Sequence, residues 1–245
     1  MNPTTRPSAL PRDEVHVWYA RPHTLRDPVP LFALLSPEER ERHGRFRFPE
    51  DRQEYLAAHA LLRVTLSQYA PVPPNVWRFR TGTYGRPELA GPAAVPPLRF
   101  NLSHTAGLVA CAVAQSRDVG IDVERVDRGT RALEVAERTF APSELRDLLD
   151  LPEKLRAERF IRAWTLKEAY VKARGVGLSL PVREAVFSPG LGAAVHATFG
   201  PSLHDLPAAW HFEQWMPTAE HVMAVAVRRG SDTGVQIIPR GTPWG

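Results

Sequence analysis

Only one cysteine, Cys111, occurs in 245 residues, so an intramolecular disulfide is excluded and a reducing compartment fits. It sits in Leu108-Val-Ala-Cys-Ala-Val113, an apolar run where a buried core thiol is expected rather than a nucleophile. No apolar run approaches membrane-spanning length, and Met1-Asn-Pro-Thr-Thr-Arg-Pro-Ser8 lacks the apolar stretch of a secretory signal. A cytoplasmic protein without a membrane partner is expected. Excess charge is also small. Lys and Arg number 31 against 27 Asp and Glu, and a formal +4 suggests anionic partners only mildly. It is thin support for a nucleic-acid track. Proline, in contrast, is abundant at 24 residues, and it clusters in Pro71-Val-Pro-Pro74, between Pro92 and Pro97, and near the end of the chain, which marks these stretches as loops.

Two short stretches carry the chemistry. Gly120-Ile121-Asp122-Val123-Glu124 reads as a strand, on which side chains two apart share a face, so Asp122 and Glu124 stand side by side. Trp164-Thr-Leu-Lys-Glu168-Ala-Tyr-Val-Lys172 reads as an amphipathic helix with Trp164, Glu168 and Lys172 along one stripe. If that helix crosses the strand, Glu168 becomes a third carboxylate. Three converging acids repel unless a hard cation such as Mg²⁺ neutralises them, and Mg²⁺ commonly shares such ligands with substrate phosphates. Each motif alone has a plainer reading: an edge-strand face for Asp122 and Glu124, and a surface i,i+4 pair for Glu168 and Lys172. Together they point to metal-assisted phosphoryl chemistry.

A weak internal repeat organises the rest. A shift of 105 positions lays Val15–Ala20 on Gly120–Arg125, Pro37 and Glu39 on Pro142 and Glu144, and Tyr55–Leu61 on Phe160–Leu166. With another offset, Ala110–Val113 resembles Ala224–Val227 as a closing strand. The expected fold is α+β: two similar halves, 14–117 and 118–228, related by a pseudo-two-fold with the site in the cleft between them, and flanked by weakly ordered tails 1–13 and 229–245. Only the second half carries the acids, since Val17 and Tyr19 replace Asp122 and Glu124 in the first, where His59 and Arg63 take the places of Trp164 and Glu168.

Further candidates lie in the first half. Phe100-Asn-Leu-Ser103-His104-Thr-Ala-Gly107 reads as a loop before the strand at 108–114, either capping residues or a phosphate-contacting loop. Tyr84-Gly85-Arg86-Pro87 reads as a tight turn holding a guanidinium at its tip. Arg40, Arg42, Arg45, Arg47 and Arg52 form either a solvated helix face or a wall for anions.

These motifs, in this order, together with Ser36-Pro37-Glu38 and Gly177-Leu-Ser-Leu-Pro181, resemble the 4′-phosphopantetheinyl transferases, in the larger pseudo-dimeric class that activates surfactin synthetase. The match spans about 15–228. It implies a holo-[acyl-carrier-protein] synthase type of reaction: Mg²⁺-dependent transfer of 4′-phosphopantetheine from coenzyme A to a serine of an apo acyl, peptidyl or aryl carrier protein, releasing 3′,5′-ADP. By the resemblance Asp122, Glu124 and Glu168 match the metal-binding acids, and Arg86, Ser103, His104 and Lys172 match positions contacting coenzyme A. Glu168 is the candidate base, with Asp122 and Lys172 beside it.

The chain departs from the family pattern where Glu39 and Tyr55 replace a lysine and a threonine at the nucleotide phosphate. Arg42 is a conservative match there, and Arg47 or Arg52 can substitute. A monomer without nucleic-acid partners is expected. Two competing readings are a non-catalytic binder of coenzyme A or carrier protein, and a metal-dependent nuclease. The segment Arg125–Phe140, with Arg128, Arg131 and Arg138 beside Leu133 and Val135, is expected to line the carrier entrance.

Overall fold

The structure, a computed structural model, describes residues 9–25, 27–92, 95–127, 132–188, 194–230 and 234–244. The fold is α+β, and the chain divides into two compact units, residues 1–117 with 235–245, and residues 118–234. The first holds β1 (Glu14–Ala20), α1 (Val29–Phe32), α2 (Pro37–Arg45), α3 (Pro49–Ser67), β2 (Arg78–Thr81), β3 (Pro87–Gly91), β4 (Leu98–Thr105) and β5 (Leu108–Gln115). The second holds β6 (Val119–Arg125), α4 (Ala132–Thr139), α5 (Pro142–Leu149), α6 (Glu153–Arg174), β7 (Ala185–Ser188), β8 (His196–Phe199), β9 (Trp210–Thr218) and β10 (His221–Arg228). The closing strand β11 (Gln236–Arg240) belongs to the first unit.

Each unit, taken by itself, follows one order: strand, three helices, a two-stranded ribbon and an antiparallel pair. The first sheet runs β11-β1-β5-β4 and the second β6-β10-β9, so β1, β5 and β4 rank as β6, β10 and β9 do. The helix starts repeat as well. Ser36 caps α2 by accepting from the Glu39 N–H at 3.2 Å, while its own N–H donates to Glu39 Oε2 at 2.8 Å, and Pro37 opens the first turn. In α5, Pro142 opens the turn and the Ala141 N–H donates to Glu144 Oε2 at 2.8 Å.

Helix α3 buries an Ala- and Leu-rich side, including Ala57, Leu61 and Leu66, against Phe100, Val109, Cys111 and Val113 with Trp77. Each such leucine contributes about 1.5–3 kcal/mol by leaving water. Cys111 is a core thiol, and burial pushes its pKa up. Helix α6 packs Leu166, Ala169, Tyr170 and Ala173 against Ala224, Ala226, Phe187, Trp210 and Phe212. It stops at Gly175, whose φ of 67° is the left-handed cap conformation and whose N–H returns to the Val171 carbonyl at 3.0 Å.

Two expectations need correction. Residues 229–245, expected as a weakly ordered tail, hold β11, which pairs in parallel with β1 from Glu14↔Gln236 to Trp18↔Arg240. Burial of Ile237 supplies the driving force, and Leu10, in the stretch expected as an N-terminal tail, is buried as well. Residues 100–105 are not a loop. They continue β4, paired with β5 from Leu98↔Gln115 to Thr105↔Leu108, because Asn101, Ser103 and Thr105 are buried with the main chain bonded in a sheet. No helix among the described residues is long and apolar enough to cross a membrane.

Candidate active site

The site of the second unit rests on one close approach. A Cβ built on Gly120 would lie 2.0 Å from the Ala169 carbonyl oxygen and 2.5 Å from the Ala173 nitrogen, so α6 lies directly on the backbone of β6 there. On a strand, Gly120, Asp122 and Glu124 share a face, and the glycine shows that this face meets α6. Ile121 and Val123, alternating with them, are fully buried. Opposite on α6, Glu168 and Lys172 stand one turn apart.

The contacts follow from this placement. Lys172 Nζ donates to Asp122 Oδ1 at 2.7 Å, and Asp122 is buried whereas Lys172 is half-buried. Glu168 has its pKa pushed up to about 7, first by burial and next by the negative charge of Asp122, with Glu124 adding to it and Lys172 opposing it. Glu168 therefore feels the charge of both other acids. Among the described residues the three are not drawn together into a metal-ligating group. The donor set still suits a hard divalent cation: three carboxylates, no thiolate or imidazole, and a repulsion that bound positive charge would relieve.

Two ion pairs, one buried and one partly buried, hold α6 in register, and the sequence alone does not reveal either. Lys167, fully buried, donates to the Val182 and Ala185 carbonyls and pairs with Glu144 at 2.8 Å. Burial lowers its pKa, and Glu144 works against that shift. Glu144 also accepts the Phe187 N–H at 3.0 Å. At the far end Asp205 Oδ2 accepts from Arg174 at 2.8 Å, Tyr170 at 3.0 Å and Trp210 at 2.9 Å. A lysine flanked by buried Leu166 and Ala169 was the one local hint. Trp164, expected on the stripe of Glu168 and Lys172, stacks on Phe160 at 6.0 Å.

The remaining candidates belong to the first unit. Arg42, Arg47 and Arg52 are exposed around the start of α3: Arg42 lies over the Tyr55 ring, Arg47 over Phe48, and Arg52 Nε donates to the Phe46 carbonyl at 2.8 Å. Tyr55 in turn packs on His59, with ring centroids 4.0 Å apart. Glu39 is largely buried and occupied, pairing with His59 Nδ1 at 2.9 Å and with Arg63 at 2.9 Å. Burial works to raise its pKa, but bonds from His59 and the Ser36 N–H, with the Arg63 charge, hold it below the ordinary value. Its role is to tie α2 to α3. Ser103 and His104 are consecutive on β4 and so point to opposite faces; Ser103 is buried and His104 exposed. Arg86, partly exposed, lines a cleft of the first unit between the β2–β3 ribbon and the start of β4.

The segment expected at the carrier entrance is partly committed. Arg125 pairs with Asp127 at 2.7 Å, and Phe140 is buried against Phe160, while Leu133 is exposed. Arg128 and Arg131 lie outside the described residues.

Comparison with known proteins gives a consistent result. The family model described as the 4′-phosphopantetheinyl transferase superfamily matches residues 118–226, and one described as 4′-phosphopantetheinyl transferase, N-terminal, matches residues 18–116. Among similar proteins, 4′-phosphopantetheinyl transferase HetI of Nostoc sp. is 38% identical over 221 residues, 88% of each chain. 4′-Phosphopantetheinyl transferase Sfp of Bacillus subtilis is 32% identical over 166 residues, 68% of this chain and 71% of that one. The holo-[acyl-carrier-protein] synthase of Thermotoga maritima, a solved structure, is 26% identical with a TM-score of 0.38, over 46% of this chain and 62% of that one.

Proposed function

The chain belongs to the 4′-phosphopantetheinyl transferase superfamily, and we propose that it moves 4′-phosphopantetheine from coenzyme A to a serine of an apo carrier protein, releasing 3′,5′-ADP. The observation that carries the reading is the laying of α6 on β6 at Gly120, with the Asp122–Lys172 contact and the raised pKa of Glu168 beside it. Asp122, Glu124 and Glu168 would hold Mg²⁺, which when bound supplies positive charge to a pyrophosphate.

In the transfer, the serine Oγ forms a bond to the β-phosphorus, the bond from that phosphorus to the bridging oxygen breaks, and 3′,5′-ADP leaves with the electron pair. Glu168 accepts the serine proton, a task suited to a carboxylate with its pKa near the working pH. Lys172, one turn along, presents an ammonium to the phosphate oxygens and orients Asp122. The rest of the enzyme positions the reactants, and the pairs at Lys167 and Arg174 fix the helix that carries the site.

Arg42, Arg47, Arg52, Arg86, Ser103 and His104 are assigned to coenzyme A. Arg128, Arg131 and Leu133 are assigned to the carrier protein, whose docking would be salt-sensitive. The enzyme is assigned to the cytoplasm as a monomer. Incubation of an apo carrier protein with coenzyme A and Mg²⁺, followed by intact mass spectrometry, tests the reading. One added phosphopantetheine per carrier serine is expected, and an unchanged carrier mass with each of an acyl, a peptidyl and an aryl carrier would refute it. Under that assay Arg128→Glu with Arg131→Glu should raise the KM for carrier and leave that for coenzyme A unchanged.

A further inference from the structure

Three residues stand in one row across the second sheet. Asp122 on β6 pairs with Ala224 on β10, and Ala224 pairs with Gln214 on β9. Directly paired residues share a face, and the face of Asp122 is the one that α6 covers. The helix crosses this face from β9 to β6. Its earlier turns meet Gln214, it passes over the methyl of Ala224, and its last turns meet Asp122 and Gly120.

Gln214 is buried, and it grips the backbone of α6. Its Nε2 donates to the Arg162 carbonyl at 2.7 Å and to Thr165 Oγ1 at 3.0 Å, and that hydroxyl donates to the same carbonyl at 3.1 Å. A carbonyl can only accept, so the nitrogen of the amide must face the helix. The amide oxygen is thereby turned away. It is buried and has no hydrogen-bond partner among the described residues. An orphaned acceptor costs stability that an apolar side chain of similar size would not. What glutamine supplies here that methionine would not is the hold on α6. Thr165 lies three residues before Glu168, and Lys172, bound to Asp122, lies four after it. Glu168 therefore sits on the turn between an anchor to β9 and an anchor to β6.

We propose that Gln214 is a positioning residue for the transfer: its amide fixes the turn of α6 that carries Glu168, and so sets the spacing of that carboxylate from Asp122 and Glu124. The inference rests on the transferase reading above and extends it to β9, a strand that carries none of the three acids.

The test compares the full chain with Gln214→Met, Thr165→Val, their double variant and Phe212→Leu. Phe212 lies two residues earlier on the same face of β9 and packs in the core beneath α6 through carbon atoms alone. Carrier modification is timed well below each melting point, and Mn²⁺ binding is measured by electron paramagnetic resonance. Gln214→Met should lower kcat and Mn²⁺ affinity each about tenfold. Its KM for coenzyme A should stay within about twofold of the parent, and its melting point within about 3 °C. Thr165→Val should show the same pattern, and the double variant should lose no more than Gln214→Met alone. Phe212→Leu should melt about 4–8 °C lower and keep its kcat. A parental kcat or a parental Mn²⁺ affinity in Gln214→Met would overturn the proposal. So would a kcat that follows the melting point across Gln214→Met and Phe212→Leu, or a double variant whose loss is the product of the single ones. If Gln214→Met does not fold, Thr165→Val takes its place under the same outcomes. A parent that binds Mn²⁺ but modifies no carrier would refute the transferase reading alone, and the Mn²⁺ affinities then decide the placing of Glu168. A parent that binds no Mn²⁺ would overturn the proposal.

Discussion

Alanine at position 120 would place a methyl carbon 2.0 Å from the Ala169 carbonyl oxygen and 2.5 Å from the Ala173 nitrogen, where ordinary contact begins near 3.4 Å. Both atoms are backbone of α6, so no rotamer change relieves the clash, and β6 and α6 must part by more than about 1 Å. Overpacking of a tight core costs about 1–3 kcal/mol, and a backbone clash of this depth belongs at the upper end. At about 3 kcal/mol a chain of this length should melt roughly 6–12 °C lower. The functional effect should exceed the stability effect, because the same separation withdraws Glu168 and Lys172 from Asp122 and Glu124. A misplacement of about 1 Å can cost ~100-fold in rate. Circular-dichroism melts and initial rates of carrier modification, the latter taken well below the variant's melting point, measure the two effects. Gly44→Ala is the control: it lies in α2, nothing stands within 4 Å of its Cβ, and it should be neutral or stabilising by up to about 1 kcal/mol. A Gly120→Ala protein that melts and turns over like the parent would refute the claim that this approach builds the site.

Lys167→Met should destabilise by about 3–5 kcal/mol in urea titrations, since Glu144 is left charged in the interior, and Lys167→Met with Glu144→Gln should recover part of the loss; equal stability of single variant and parent would count against a buried ion pair. Glu168 binds its proton more tightly folded (about 7) than unfolded (4.5), so in chelator its contribution favours the fold at low pH and is lost as pH rises from about 4.5 through 7. The difference is up to about 3 kcal/mol, and Glu168→Gln should flatten that slope in melts at pH 5 and pH 8; an unchanged slope would mean that another group titrates. Arg86→Ala and His104→Ala should each weaken coenzyme A binding by about 1–3 kcal/mol in calorimetry, and parental affinity in both would move the nucleotide elsewhere.

The candidate site could be proposed from the sequence because its parts obey two short periods. Asp122 and Glu124 lie two apart on a strand, and Glu168 and Lys172 lie four apart on a helix. Gly120, a residue whose cost in a strand needs a reason, marks where the two elements touch. What could not be read was set by contacts distant in sequence. Glu144 and Lys167 are 23 positions apart and meet only through the packing of α5 and α6. The strand β4 resembles a loop in the sequence because Asn101, Ser103, His104 and Thr105 are turn-favouring residues; in the sheet three of them are buried. The strand β11 was hidden by Gly234, Pro239 and Gly241, and its pairing partner β1 lies at the opposite end of the chain. The departures at Glu39 and Tyr55 made sense only once the Glu39–His59–Arg63 cluster was seen to be structural.

The central claim is that Asp122, Glu124 and Glu168, held against Lys172, form the reacting centre. It is tested most directly by following carrier modification by mass spectrometry with the parent, Asp122→Ala and Glu168→Ala proteins, each with Mg²⁺ and with excess chelator. The parent should modify the carrier only with the metal, and each variant should be slower by more than about 100-fold, the loss of several kcal/mol of transition-state stabilisation. Full turnover by the parent in chelator, or by folded Asp122→Ala at the parental rate, would contradict it.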